Sequence, residues 1–212
     1  MRLGIFGGTF NPIHFGHLRA AEEVRYLIGL DQVIFMPSGN PPLKSSELAE
    51  ASHRHAMTRL ATQGNVDFLV SDIEMSQQEK SYTVATVERL GSMYPEEKLF
   101  FILGLDAFLD LPNWREPERL IASIDFIVVT RPGLDMEQLN ISSCIDGVLS
   151  ESGTDATSYR LVGGRTVHIA AVSAIDISST HIRRLVRQGR SIKYLLPEPV
   201  EQYILSHRLY SR

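Results

Sequence analysis

The sequence predicts an α/β fold, a parallel sheet flanked by helices, and three observations carry that expectation. Short apolar runs rich in Ile, Val and Phe alternate with longer segments of helical period, as in successive βαβ units. The run KLFFILG (98–104) is continuously apolar, which suits a strand buried on both faces at the centre of a parallel sheet. The chain has 212 residues, 43% of them hydrophobic, with no repeat, low-complexity tract or long linker, so one domain spanning 1–212 can bury its own core.

Taken in order, RLGIF (2–6) is the first strand, and Leu18, Ala21, Val24 and Ile28 mark one face of a helix that Gly29 is placed to end. QVIFMP (32–37) is the second strand. The polar, proline-rich PSGNPPLKSSE (37–47) that follows is a surface loop at its end. A helix is expected over 52–64, with a Ser cap and a Gly stop, then a strand over 68–75, a helix over 83–94 and the central strand. Residues 105–123 read as a short helix, a Pro turn and a second helix, and DFIVVTRPG (125–133) as a strand stopped by Pro-Gly. The stretch 135–165 scatters Ser, Gly and Asp through weak apolar signals and gives no element. A last strand over 165–172 and helices over 178–189 and 198–210 complete the chain.

A formal net charge of −4 argues against a protein that coats nucleic acid or an anionic membrane, since both tasks depend on clustered Lys and Arg. The basic run Arg183, Arg184, Arg187, Arg190 and Lys193 reads as a solvated helix face for the same reason. The single cysteine, Cys144, can neither close an intramolecular disulfide nor build a thiolate metal site, which fits a reducing cytoplasm. No apolar run approaches the ~20 residues of a membrane span.

The chemistry points to two helix starts. In a parallel sheet, crossover helices begin near the carboxyl ends of the strands, where α/β proteins bind ligands. At the first start, GIFGGTFNPIHFGH (4–17), Gly7 and Gly8 let the backbone turn and come close to a ligand. Thr9 and the backbone amides can donate to an anion at the helix N-terminus. His14 and His17, three apart, share one side of the first turn if the helix has begun by Phe15.

An isolated histidine pair is more often a cap and a packing residue; beside two glycines and a threonine, a shared anion is the better reading. Zinc is disfavoured because the spacing is not His-Glu-x-x-His and no cysteine lies nearby. Neither G-x-x-x-x-G-K-[ST] nor G-x-G-x-x-G is present, which excludes the two common nucleotide loops. At the second start, ISSTHIR (177–183), Ser178, Ser179 and Thr180 supply hydroxyls, and Arg183 adds a guanidinium suited to phosphate oxygens.

GGTFNPIHFGH with ISSTHIR resembles the nucleotidyltransferases that carry a G-x-F/T-x-P-x-H-x-G-H loop and an I-S-S-T-x-I-R loop. PSGNPPLK, SYTVATVERL, FILGLDAFLDLPNW and IVVTRPG, in that order between them, resemble the nicotinate-nucleotide adenylyltransferase family, so that the likeness runs from residue 3 to about 185. The resemblance implies a Rossmann-like domain that joins nicotinate mononucleotide to ATP, with Mg²⁺ carried on the ATP.

It also implies catalytic roles for His14, His17 and Arg183. It puts ATP against Gly7, Gly8, Thr9, Phe10, His14, His17, Gly104, Asp106, Ser179, Thr180 and Arg183. The mononucleotide is put against Asn40, Lys44, Thr83, Arg131 and the lone tryptophan, Trp114. A cytoplasmic enzyme without nucleic-acid or membrane partners follows, with a homo-oligomer left open. The amidated mononucleotide is the alternative acceptor, since acid and amide can be told apart by one or two backbone donors. Two departures stand out: Asn11 where many relatives have Asp, and Leu43 in place of the histidine of PPHK.

Overall fold

The computed structural model of the protein describes residues 1–41, 47–75, 81–130, 144–150, 156–173 and 175–211. One eight-stranded sheet runs through it in the order β3-β2-β1-β4-β5-β8-β7-β6. Strands β1 (Arg2–Gly8), β2 (Gln32–Pro37), β3 (Phe68–Val70), β4 (Lys98–Gly104), β5 (Asp125–Thr130) and β8 (Thr166–Ala171) are parallel. Strand β7 (Ala156–Leu161) pairs antiparallel with β8, and β6 (Ile145–Ser150) antiparallel with β7. The expected parallel sheet therefore ends in an antiparallel hairpin at one edge.

Alternation along the strands sends side chains to two cores. Leu3, Ile5, Phe101 and Leu103 face one side, against Val84, Val87 and Leu90 of α3 (Thr83–Met93) and Leu120 of α5 (Pro117–Ser123). On the other side, Phe6, Phe35, Phe100 and Ile102 meet α1 (Phe15–Ile28), α2 (Ala51–Thr62), α6 (Ser179–Arg187) and α7 (Glu198–Ser206). The short α4 (Leu105–Leu109) and a 3-10 turn at Leu111–Asn113 connect β4 to α5. Both faces of β4 are thus covered, which its unbroken apolar run required.

The chain winds outward from β1 to β2 and β3, then returns to β4 on the other side of β1. That reversal opens a crevice beyond the carboxyl ends of β1 and β4, where open α/β sheets hold ligands. Gly8 ends β1 and Gly104 ends β4, so α1 and α4 both start at this crevice.

Helix α1 stops as expected, with Gly29 in the left-handed region at φ 68 and its N–H returned to Tyr26 O. Other expected elements differ: α2 begins at Ala51 with Glu50 at its cap position, so Ser52 lies inside the helix instead of capping it. The strand expected over 68–75 ends at Val70, because a turn takes over in which the Ser71 hydroxyl accepts the Ile73 N–H and Glu74 turns inward to a buried site. The stretch without signal, 135–165, contains β6 and β7. Val148 and Leu149, adjacent on β6, are both exposed, and register shifts interrupt its pairing, so no period-2 pattern is written there.

Candidate active site

Helix α1 has no hydroxyl at its cap; His14 occupies that position with extended backbone. The His14 N–H donates to Nδ1 of His17 at 3.2 Å, and the two rings stack with centroids 3.7 Å apart. Phe10 packs edge-on to His17, at 5.2 Å between centroids.

Enclosure among these rings penalises the imidazolium. The pKa of His14 is lowered to about 4 by burial, and that of His17 is pulled well below the ordinary value by burial and by its neighbour His14. Both rings are neutral at pH 7. Because Nδ1 of His17 accepts a backbone proton, its own proton sits on Nε2, and the ring is a neutral donor held in one tautomer.

The turn expected at the glycines falls elsewhere. Gly7 and Gly8 are the last residues of β1, and the left-handed turn falls on Phe10, at φ 45. A Cβ on Gly7 would lie 2.7 Å from the Phe101 ring, and one on Gly8 would lie 2.9 Å from the Phe10 ring. Their smallness lets aromatic side chains close under the loop.

At the second helix start, Ser178 caps α6 by accepting the His181 N–H at 3.2 Å. The Ser179 hydroxyl donates to Pro12 O at 2.8 Å and fastens the two helix starts to each other. Arg183 donates from Nη1 to Asn11 O (2.9 Å), from Nε to a Glu47 carboxylate oxygen (3.1 Å) and from Nη2 to the Thr180 hydroxyl (3.4 Å). A second guanidinium, Arg187, also pairs with Glu47. Between the walls lies a cleft of about 320 Å³ lined by Thr9, Phe10, Asn11, His17, Leu48, Ser179 and Arg183.

His17 forms the cleft wall, whereas His14, only 5% exposed, stacks behind it. Gly104 and Asp106 stand across the crevice at the start of α4, both exposed, and a Cβ on Gly104 would meet open space. Asn40 follows β2 and exchanges backbone contacts with Ser81: its N–H donates to the Ser81 hydroxyl and its carbonyl accepts the Ser81 N–H. Thr83 opens α3 two residues later. Trp114 is half-buried against the core, its indole N–H donating to the Asp110 carboxylate at 3.3 Å. None of Gly104, Asp106, Asn40, Thr83 and Trp114 lines the cleft between the two helix starts. Lys44 and Arg131, like Leu43, lie outside the described residues.

Several supports of the site went unassigned from sequence. Asn11, noted only as a departure, is a junction: its amide donates to Glu47 O (3.0 Å), and its Oδ1 accepts from the Ala49 N–H (3.1 Å) and the Tyr210 hydroxyl (2.8 Å). Tyr210 is raised above the ordinary phenol range by burial, so it stays protonated and donates. Arg54, fully buried in α2, holds Thr9 O, Gly39 O and Ala49 O. Its one legible trace was a cation on the buried stripe shared with Met57, Thr58 and Thr62.

A crevice at the strand-order reversal, with hydrogen-bond donors converging from two helix starts, defines an α/β protein built to hold a phosphorylated ligand. The chain belongs to the cytidylyltransferase-like family, which it matches over residues 5–185, and within it to the nicotinate-nucleotide adenylyltransferases.

A protein of Desulfatibacillum aliphaticivorans named a probable nicotinate-nucleotide adenylyltransferase is 45% identical, the match covering 99% of this chain and all of that one (100%). One of the same name from Geobacter metallireducens is also 45% identical, over 100% and 99% of the two chains. Among solved structures, the nicotinic acid mononucleotide adenylyltransferase of Plasmodium falciparum complexed with NaAD superposes with a TM-score of 0.76 at 21% identity, covering 99% of this chain and 97% of that one. That likeness is one of fold.

Proposed function

We propose that this protein transfers the adenylyl group of ATP to nicotinate mononucleotide, giving the deamidated dinucleotide and pyrophosphate. The observation that carries it is the pairing, across one cleft, of a neutral imidazole donor from α1 with a guanidinium from α6. The substrates follow from the names of the relatives that match the whole chain.

A phosphate monoester has a second pKa of about 6, so the attacking oxygen of the mononucleotide is largely deprotonated at neutral pH and needs no general base. That oxygen bonds to the α-phosphorus as the bond to the bridging oxygen breaks, and pyrophosphate departs with the electron pair. The chain's task is alignment and charge stabilisation.

His17, with His14 stacked behind it, donates to the phosphate oxygens. Thr9 and the loop around Phe10 hold the triphosphate, and Arg183 with Ser179 and Thr180 meets the charge that builds on the leaving group. Gly7 and Gly8 keep the loop closed over its aromatic floor, and Gly104 and Asp106 take the adenosine. Asn40, Thr83 and Trp114, with Lys44 and Arg131, take the mononucleotide. Mg²⁺ would enter on the ATP and offset phosphate charge there, since it gives up its water reluctantly and the cleft offers mostly donors to anions.

The test is pyrophosphate release from Mg·ATP with nicotinate mononucleotide or its amide as acceptor, the dinucleotide identified by mass. Strong preference for the acid is expected. Equal rates would replace this reading with dual specificity, and silence with both would overturn it.

A further inference from the structure

Arg54 is 0% exposed, yet it makes no ion pair among the described residues. A guanidinium in that position is destabilising unless its N–H groups are all directed at acceptors. Arg54 spends them on main-chain oxygens of three separate segments. Nε donates to Ala49 O at 2.9 Å, Nη1 to Thr9 O at 2.9 Å and the Ser38 hydroxyl at 3.5 Å, and Nη2 to Gly39 O at 3.0 Å. Burial draws its pKa down, while the nearby Glu74 opposes that shift.

Two of those oxygens belong to the two halves of the site. Thr9 lines the ATP cleft, and Gly39 immediately precedes Asn40. Gly39 is clamped on its other side as well: its N–H donates to the Glu74 carboxylate at 3.2 Å, and that carboxylate accepts the Thr86 hydroxyl at 2.8 Å. A Cβ on Gly39 would fall 2.0 Å from Glu74 O, so the peptide cannot shift towards Glu74. The two nitrogens that hold Thr9 and Gly39 are the terminal pair of one rigid plane; beyond the last main-chain tie between the loops, Ser38 N–H to Gly8 O at 2.9 Å, this one side chain bridges them.

We propose that Arg54 is a positioning residue for adenylyl transfer: its guanidinium fixes the triphosphate loop against the loop that carries Asn40, so that donor and acceptor meet in line. The inference rests on the substrate reading above, in which Asn40 stands on the acceptor side. Lysine keeps the charge but cannot span both loops, because an ammonium is a compact point donor.

The test compares wild type with Arg54→Lys by steady-state kinetics and by the binding of ATP and of nicotinate mononucleotide measured singly. The expected result is a folded variant whose kcat falls roughly 100-fold, the scale of loss for a misplacement of about 1 Å, while each dissociation constant stays within about fivefold. A purely structural role predicts instead a lower melting temperature with kcat lost only in proportion to the unfolded fraction.

If Arg54→Lys does not fold, Glu74→Gln carries the test by loosening the same clamp at Gly39; kcat should drop about tenfold with binding unchanged. A folded Arg54→Lys, or failing that Glu74→Gln, with wild-type kcat beside an active wild type overturns the positioning role alone. A wild type that binds ATP and forms no dinucleotide overturns the substrate reading, and this inference with it.

Discussion

At the start of α1 the side chains beside the cleft are imidazoles kept neutral by enclosure among Phe6, Phe10 and each other; at the start of α6, the cleft is met by Arg183, a permanent cation that already holds Asn11 O and Glu47. Both walls present hydrogen-bond donors, but only one carries a cation. The difference matters because a transferring phosphoryl group has two needs. Donors fixed before the reaction stabilise charge as it develops without reorganising, whereas a charged fork draws in and holds the polyanion. A neutral ring also avoids binding the substrate so tightly that the gain is spent on the ground state.

The largest effect that would separate the walls is His17→Ala, which removes a prearranged donor. Turnover should fall by roughly two to three orders of magnitude with a smaller change in KM for ATP, measured by pyrophosphate release on a variant shown folded by circular dichroism. A proportionate loss in KM alone would put His17 on the side of ground-state binding and erase the contrast.

Arg183→Lys comes next. Lysine keeps the charge but cannot hold Asn11 O, Glu47 and Thr180 together, and loss of charge-assisted hydrogen bonds should raise KM for ATP by roughly 10- to 100-fold. An unchanged KM would show that charge alone, and not the fork, serves this wall.

The neutral wall has a signature in acid. His14 is lowered to about 4 in the folded chain, against ~6.5 unfolded, so between these values the unfolded state binds more protons and stability rises with pH. Stability should therefore decline from pH 6.5 towards 4, by roughly 3 kcal/mol for this one group, and His14→Asn should flatten the decline in urea titrations.

Smallest is Ser178→Ala, which removes the cap of α6 and nothing else at the cleft. A loss of about 1 kcal/mol, seen as a fall in melting temperature of about 2 to 4 °C, is expected with turnover nearly intact.

Much of the frame was legible because its signals are local. Strands β1, β2, β4 and β5 are apolar runs in a parallel sheet, and Gly29 closes α1 where a left-handed residue was needed. Both helix starts were legible too, since Gly, His, Ser and Arg sit within single loops. Strands β6 and β7 were not, because exposure of Val148 and Leu149 together with register shifts erases alternation at an edge. The supports of the site were hidden for a different reason. Tyr210 meets Asn11 across 199 positions of sequence, and Arg54 meets Thr9 across 45. The place of Arg54 on the stripe of Met57, Thr58 and Thr62 hints at burial, but nothing local names the oxygens it holds.

The sequence by itself determined the βαβ order, the two candidate phosphate loops and the family they resemble, since hydrophobic period and loop chemistry are properties of neighbouring residues. Only the tertiary structure decided that aromatic rings pack where Gly7 and Gly8 lack a Cβ, that the two histidines are neutral and stacked, and that Ser179, Arg183, Asn11 and Arg54 bind the loops together. Burial and hydrogen-bond partners are set by residues distant along the chain, and a side chain's charge state and orientation depend on both.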